Sequence, residues 1–349
     1  MRRSKRRWRR PERINVIHAP RKQRGAFFSV TDVAAFSFDK LVIFGVGLIG
    51  GSLARALRER GDVGGERRVI GVGRSAASTE RALELGVIDA SASLADDDAL
   101  RAALKGADVV LLAAPVAQTQ PLLERIAPFL DPSTIVTDAG STKSDVVAAA
   151  RAALGERIGQ FVPGHPIAGR ESSGVDAALP DLYVNRNVVL CALPENTRAC
   201  VDRIAAMWRA TGASVHAMSP DQHDRVFASV SHLPHVLSFA LVEQILNSSD
   251  AALKFSFAAG GFRDFTRIAA SSPEMWRDVC VANRAALLDE IDGYTAVLAR
   301  LRSAIEAGDG ATLEAVFARS RAARSEWQER ATPTQKASPE RSATDDASK

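Results

Sequence analysis

From about residue 39 the chain alternates short apolar runs with amphipathic stretches. Residues 41–44 (LVIF) read as a strand, and a helical pattern follows over 49–60, closed by Gly61. Residues 69–72 give a second strand. Residues 108–114 (DVVLLAA) are unbroken in apolar character after the first position, as expected of a strand buried on both faces of a parallel sheet. Further strands are expected at 134–137 and 187–192. This alternation predicts a doubly wound α/β domain over residues 39–219. After Asp221 the strand signals stop. Residues 226–246, 273–301 and 311–330 carry helical patterns, so 220–330 reads as an all-α domain.

Composition narrows the class. A chain of 349 residues can bury two cores, and 46% hydrophobic with 25% charged residues is the profile of a globular protein. No unbroken run of eighteen apolar residues occurs, which argues against a membrane span and a membrane partner. Cys191, Cys200 and Cys280 are odd in number and lack CxxC spacing. They read as small buried hydrophobes in a reducing cytoplasm, with no metal site. The net charge of +4 is deceptive. Residues 1–24 hold eleven Lys/Arg against Glu12 alone, so the remainder is mildly acidic and gives no reason to bind nucleic acid. Residues 1–38 read as a basic extension, disordered or arising from a misplaced start, and 331–349 as a polar disordered tail.

Candidate chemistry begins at Gly45-Val46-Gly47-Leu48-Ile49-Gly50, which follows a strand and opens a helix. Gly45 permits a tight turn, Gly47 lets the backbone approach a pyrophosphate, and Gly50 lets the helix pack on the strand. The free N–H groups of the helix start, Leu48 and Ile49 among them, then face the phosphates. This is the context of a Rossmann-type dinucleotide site. The second strand ends Gly73-Arg74-Ser75, without the acid that would hold the ribose 2′-OH of NAD. Arg74 and Ser75 could hold a 2′-phosphate instead, which favours NADP modestly over NAD.

Three further segments share the order of a known family. They are Asp138-Ala139-Gly140-Ser141-Thr142-Lys143, then Gly164-His165-Pro166-Ile167-Ala168-Gly169, and finally Ser231-His232-Leu233-Pro234-His235 with Asp264-Phe265-Thr266-Arg267. With the glycine loop they closely resemble the prephenate/arogenate dehydrogenases over roughly residues 39–325. The resemblance implies a homodimer with a helical dimerisation domain, and oxidative decarboxylation of prephenate in tyrosine biosynthesis, or of arogenate. It implies that His165 is catalytic, that Ser141 orients the substrate hydroxyl, and that His235 and Arg267 meet the substrate.

That chemistry suits these residue types. Hydride leaves a hydroxyl-bearing carbon, so a histidine near neutrality can take the hydroxyl proton, and a planar Arg fork suits a substrate with two carboxylates. Plainer readings stand beside each. His165 could simply hydrogen-bond its turn, and Ser141 could cap a helix starting near Lys143 while also touching substrate. His232 and His235 share a helix face without carboxylates to complete a metal site. Pro234 should kink that helix near Val230 and aim His235 into a cleft. Phe262, Phe265 and Ile268 suggest that Arg267 is partly buried and needs an anion. Glu171 could tune the site, and Trp276 and Arg277 read as core and interface. A surplus of apolar positions, including Phe227, Leu237, Phe239, Leu241, Leu287 and Leu288, points to a two-fold interface through the helices. Two other classes compete: a dinucleotide-sensing nucleic-acid regulator, and a β-hydroxyacid dehydrogenase. The second would want a helical-domain lysine, and Lys254 is the only one between Asp221 and Arg330.

Overall fold

The computed structural model describes residues 36–61, 67–73, 75–170 and 172–331. Arg74, Glu171, most of the basic extension and the tail beyond 331 lie outside the described residues. Strands β1 (Lys40–Phe44), β2 (Arg68–Gly73), β3 (Ala90–Ser93), β4 (Val109–Leu112), β5 (Ile135–Asp138) and β6 (Phe161–Val162) form one parallel sheet in the order β3-β2-β1-β4-β5-β6. Helices α1 (Leu48–Glu59), α2 (Ala76–Glu84), α3 (Asp97–Leu104), α4 (Thr119–Ile126) and α5 (Ser144–Leu154) connect them.

The pattern of β1 explains why both faces are covered. Leu41 and Ile43 point into one core with Leu53 and Leu57 of α1. Val42 and Phe44 point into the other with Leu100, Leu123 and Val146. All four β1 side chains are buried to at least 99%, each contributing about 1.5–3 kcal/mol. The strand order reverses between β1 and β4, which opens a crevice at their carboxyl ends.

The chain then leaves this sheet. Strand β7 (Gly164–Pro166) pairs antiparallel with β8 (Asn187–Leu190), which pairs parallel with β9 (Ser214–Ala217), and α6 (Arg198–Ala210) packs beside them through Trp208. His165 therefore sits on a short strand, not on the free loop the sequence suggested. Beyond β9 the described residues form helices and no further strand. Ser219, with Pro220 at the first turn, caps α7 (Pro220–Phe227). The helix continues through a π turn, Ala228–His232, into α8 (Leu233–Leu246). Pro234 was expected to kink the chain near Val230; the π turn is what occupies that place. By length and apolar content the run Pro220–Leu246 could cross a membrane (mean hydropathy 1.3), yet it carries buried polar side chains at His223, Asp224, His232 and Ser238.

After α9 (Ala251–Ser256) and α10 (Gly260–Thr266), the helix expected over 273–301 is two helices. These are α11 (Pro273–Ala282) and α12 (Arg284–Glu306), which meet at the buried Asn283. Helix α13 (Gly310–Ala331) ends the described chain. By packing, residues through Leu287 form one compact unit and those from Leu288 a second.

The glycine loop gives a stability test. A Cβ on Gly50 would lie 2.5 Å from the Gly45 carbonyl oxygen and 2.7 Å from Ile43, whereas one on Gly47 would meet nothing within 4 Å. Gly50→Ala should therefore cost about 1–3 kcal/mol in urea unfolding, as overpacking does. Gly47→Ala should leave the midpoint in place.

Candidate active site

Gly45 takes φ of 90°, and a side chain there would strike the Ala113 carbonyl oxygen at 2.6 Å. The turn after β1 is thus pressed against the end of β4. The two bound a cavity of about 310 Å³ lined by Gly45, Gly47, Gly73, Ser75, Ser78 and Gln118 among others. The open space over Gly47, the helix start behind it and this cavity fit a dinucleotide. A Cβ at Gly73 would lie 2.8 Å from the Thr79 methyl, so an acid there would need Thr79 to move. A second cavity, about 340 Å³, shares Gly47, Ala113, Ala114 and Pro115. It adds Leu48, Ile49, Ser141, Arg170, Ser272, Met275 and Val279. It joins the glycine loop to the Ser141 loop and to α11.

Two buried carboxylates hold the polar centre. Asp138, at the end of β5, accepts from the Gly140 N–H (2.8 Å) and the Gly164 N–H (3.0 Å) and pairs with the fully buried Lys143. Asp224 on α7 accepts from the backbone N–H of Lys143 and of Ser144, each at 2.8 Å. Asp224 thus caps α5; Ser141 does not, since the helix begins at Ser144 with no side-chain cap from its own sequence. Hydrogen bonds to His223 and Ser144 outweigh burial and hold the Asp224 carboxyl down to about 2.

Asp224 also accepts from His223 Nδ1 at 2.8 Å, and His223 Nε2 lies 2.8 Å from His165 Nδ1. His165 is half-buried against the rings of His223 and Phe227. Burial first, then the charges of His223, Lys143 and His232, push its pKa well below 6.5. At neutral pH its ring is neutral, with one nitrogen engaged and Nε2 left for a ligand.

The other two histidines are placed differently. His232 is buried, and its Nδ1 faces the Asn283 amide at 3.1 Å. That amide also donates to the Asp224 carbonyl at 2.8 Å. Burial pushes His232 down to about 4. His235 Nδ1 lies 2.9 Å from the Ser231 carbonyl, and its ring stacks on Trp276 with centroids 3.6 Å apart. Burial lowers its pKa, and the positive charge of Arg267 lowers it further. Arg267 and His235 are thus neighbours. Arg267 itself is exposed, not partly buried, and so is Phe265 beside it. Arg74 and Glu171, the remaining candidates, lie outside the described residues. Sequence reasoning missed His223, Asp224 and Asn283. The first two lie in Ser219-Pro220-Asp221-Gln222-His223-Asp224, ahead of the helix expected from residue 226, where an adjacent His-Asp pair was a usable signal.

The model for "Prephenate dehydrogenase, nucleotide-binding domain" matches residues 53–217, and that for "Prephenate dehydrogenase, dimerization domain" matches 219–319. A prephenate dehydrogenase of Bacillus subtilis is 38% identical over 80% of this chain and 73% of its own. The chain belongs to the prephenate dehydrogenase family. Within this family of dinucleotide-dependent oxidoreductases, a cyclohexadienyl dehydrogenase of Zymomonas mobilis is 35% identical over 82% of this chain and 95% of its own. The crystal structure of the Aquifex aeolicus prephenate dehydrogenase with hydroxyphenyl propionate and NAD+ superposes with a TM-score of 0.77. It is 34% identical and covers 84% of this chain and 99% of that one.

The depressed histidines make stability pH-dependent. His165, His223, His232 and His235 are all lowered in the fold, so between pH 6.5 and their folded values the unfolded chain binds more protons. Stability should be full above about pH 6.5 and fall as pH drops toward 4. The His232 shift from 6.5 to about 4 alone is worth roughly 3 kcal/mol. Urea midpoints across this range check it, and a flat profile would contradict the burial of these rings.

Proposed function

We propose that the protein oxidises and decarboxylates prephenate to 4-hydroxyphenylpyruvate in tyrosine biosynthesis, as a cytoplasmic homodimer that favours NADP over NAD. The carrying observation is His165, neutral and held by one nitrogen, beside the loop that presents Ser141 to the second cavity. A dinucleotide held over Gly47 and the start of α1 would supply the hydride acceptor for the hydroxyl-bearing ring carbon. His165 Nε2 accepts the hydroxyl proton as that hydride leaves. Ser141 orients the hydroxyl. As carbon dioxide departs and the ring becomes aromatic, His165 returns the proton to the oxygen, so no net proton is consumed. Arg267 and His235 anchor a carboxylate. Arg170 on the cavity wall favours a side chain bringing only negative charge, hence the pyruvyl of prephenate over the alanyl of arogenate, which carries an ammonium.

Support for NADP is the absence of an acid at the end of β2, with Ser75 and Ser78 on the cavity wall. Support for the dimer is a surplus of apolar surface on the helices: in α8 only Leu233 and Ser238 are buried, and Val230, Leu246, Leu253, Phe257 and Val281, spread over the π turn, α8, α9 and its end, and α11, are exposed. Phe227 and Leu287, counted toward that surplus in the sequence, are instead spent inside the chain's own core.

Reduced-cofactor absorbance with prephenate or arogenate, each with NADP or NAD, tests the reading directly. Turnover should be greatest with prephenate and NADP, and silence in all four mixtures would refute it. Arg74→Ala should lower kcat/KM for NADP more than for NAD. Arg267→Ala should raise KM for prephenate roughly ten- to hundredfold, the worth of a charge-assisted hydrogen bond. KM for the cofactor should hardly move. Equal loss for both would assign Arg267 a folding role.

A further inference from the structure

We propose that His223 and Asp224 form a positioning relay behind His165, fixing its tautomer so that Nε2 is the proton acceptor and steadying the cation that forms there. The inference deepens the reading of His165 as the base and rests on it.

The chain of contacts leaves one assignment of protons. Asp224 already accepts two backbone N–H groups from Lys143 and Ser144, and these stabilise it as a carboxylate with no proton to give. His223 Nδ1, 2.8 Å from Oδ1, must therefore carry a hydrogen and donate it. His223 is fully buried and burial keeps it neutral, so its other nitrogen, Nε2, is a lone-pair acceptor. That nitrogen lies 2.8 Å from His165 Nδ1, which must then be the donor. A neutral imidazole carries one hydrogen. With it on Nδ1, His165 Nε2 is bare and can accept a proton without a prior tautomer change.

The relay also matters after the proton arrives. Lys143, His223 and His232 disfavour a positive charge on His165, whereas the carboxylates of Asp224 and Asp138 favour one on His223, the ring next to it. Asp224 reaches His165 only through the intervening imidazole. A proton taken from the hydroxyl by Nε2 makes His165 an imidazolium whose Nδ1–H donates more strongly to His223 Nε2. The His223 Nδ1–H in turn donates more strongly to the carboxylate. No bond other than the hydroxyl O–H need break, and the charge is shared along two hydrogen bonds without leaving His165. In serine proteases, loss of the corresponding aspartate presents the wrong tautomer and lowers kcat about 10⁴-fold. Here a second ring intervenes, so a smaller loss is expected.

The test compares Asp224→Asn, His223→Gln and His223→Leu with wild type and His165→Asn, by kcat and kcat/KM against pH, by melting, and by ¹⁵N NMR of the histidine rings. Wild-type His165 should show hydrogen on Nδ1 and a bare Nε2. Asp224→Asn should lower kcat about 10- to 1000-fold, a range set below the protease figure, with KM for prephenate and cofactor nearly unchanged. The acidic limb of kcat/KM should move to lower pH, because the carboxylate no longer favours the imidazolium. His223→Gln, whose amide oxygen can still accept the His165 Nδ1–H, should recover part of what His223→Leu loses. A folded Asp224→Asn enzyme with wild-type kcat and pH profile would overturn the relay, as would hydrogen on Nε2 of wild-type His165. The NMR result on the unaltered protein decides even if every variant unfolds. Normal turnover in His165→Asn would instead overturn the underlying reading.

Discussion

Everything at this site hangs from the Asp138 carboxylate. It lies at the tip of β5, almost wholly buried, and ties its own following loop, residues 140–143, to the start of β7 at Gly164. Through Gly140 it fixes the loop that presents Ser141. Through Gly164 it fixes the start of the short strand that carries His165. Through Lys143 it gains the cation that makes its own burial tolerable. A buried ion pair of this kind is weak evidence for added stability, because desolvation costs about as much as the attraction returns. What it supplies is position. Removing either partner would leave an uncompensated charge at the meeting point of two sheets.

Asp224 does the complementary task from the helical side. Its carboxylate reaches across to the first turn of α5 and so joins the dinucleotide-binding sheet to the helices behind it. The join is electrostatic as well as mechanical: free N–H groups at a helix start favour an anion. Asn283 extends the same logic, bridging the Asp224 carbonyl and His232 at the point where one long helix is interrupted. Polar groups this deep are costly unless satisfied, and each finds a partner in another element.

The legible part of the molecule is the part written locally. The glycine loop, the apolar strands and the helical second half follow from spacing and hydrophobic runs, and the family resemblance follows from four short motifs in order. What stayed hidden depends on residues far apart in sequence. His223 meets His165 across 58 positions and Asp224 meets Lys143 across 81, and no periodicity encodes either meeting. Strand β3 (ASAS) has too little apolar character to announce itself. The break at Asn283 is invisible because the flanking pattern remains helical. The exposure of Arg267 could not be read from its aromatic neighbours, since nearness in sequence does not say which way a short helix turns.

The π turn at Ala228–His232 has a consequence for how this segment can change over time. A π turn holds one residue more than the α-helical turn it replaces. Deleting a single residue there would leave an unbroken helix of ordinary geometry, so local structure offers no obstacle to the change. Each helical residue, however, turns the chain by about 100°. His235 would swing away from Trp276, and everything following it on α8 would present a different side. Insertions and deletions in this stretch are thus opposed by the rotation they impose on His235 and the rest of α8, not by the local geometry of the helix.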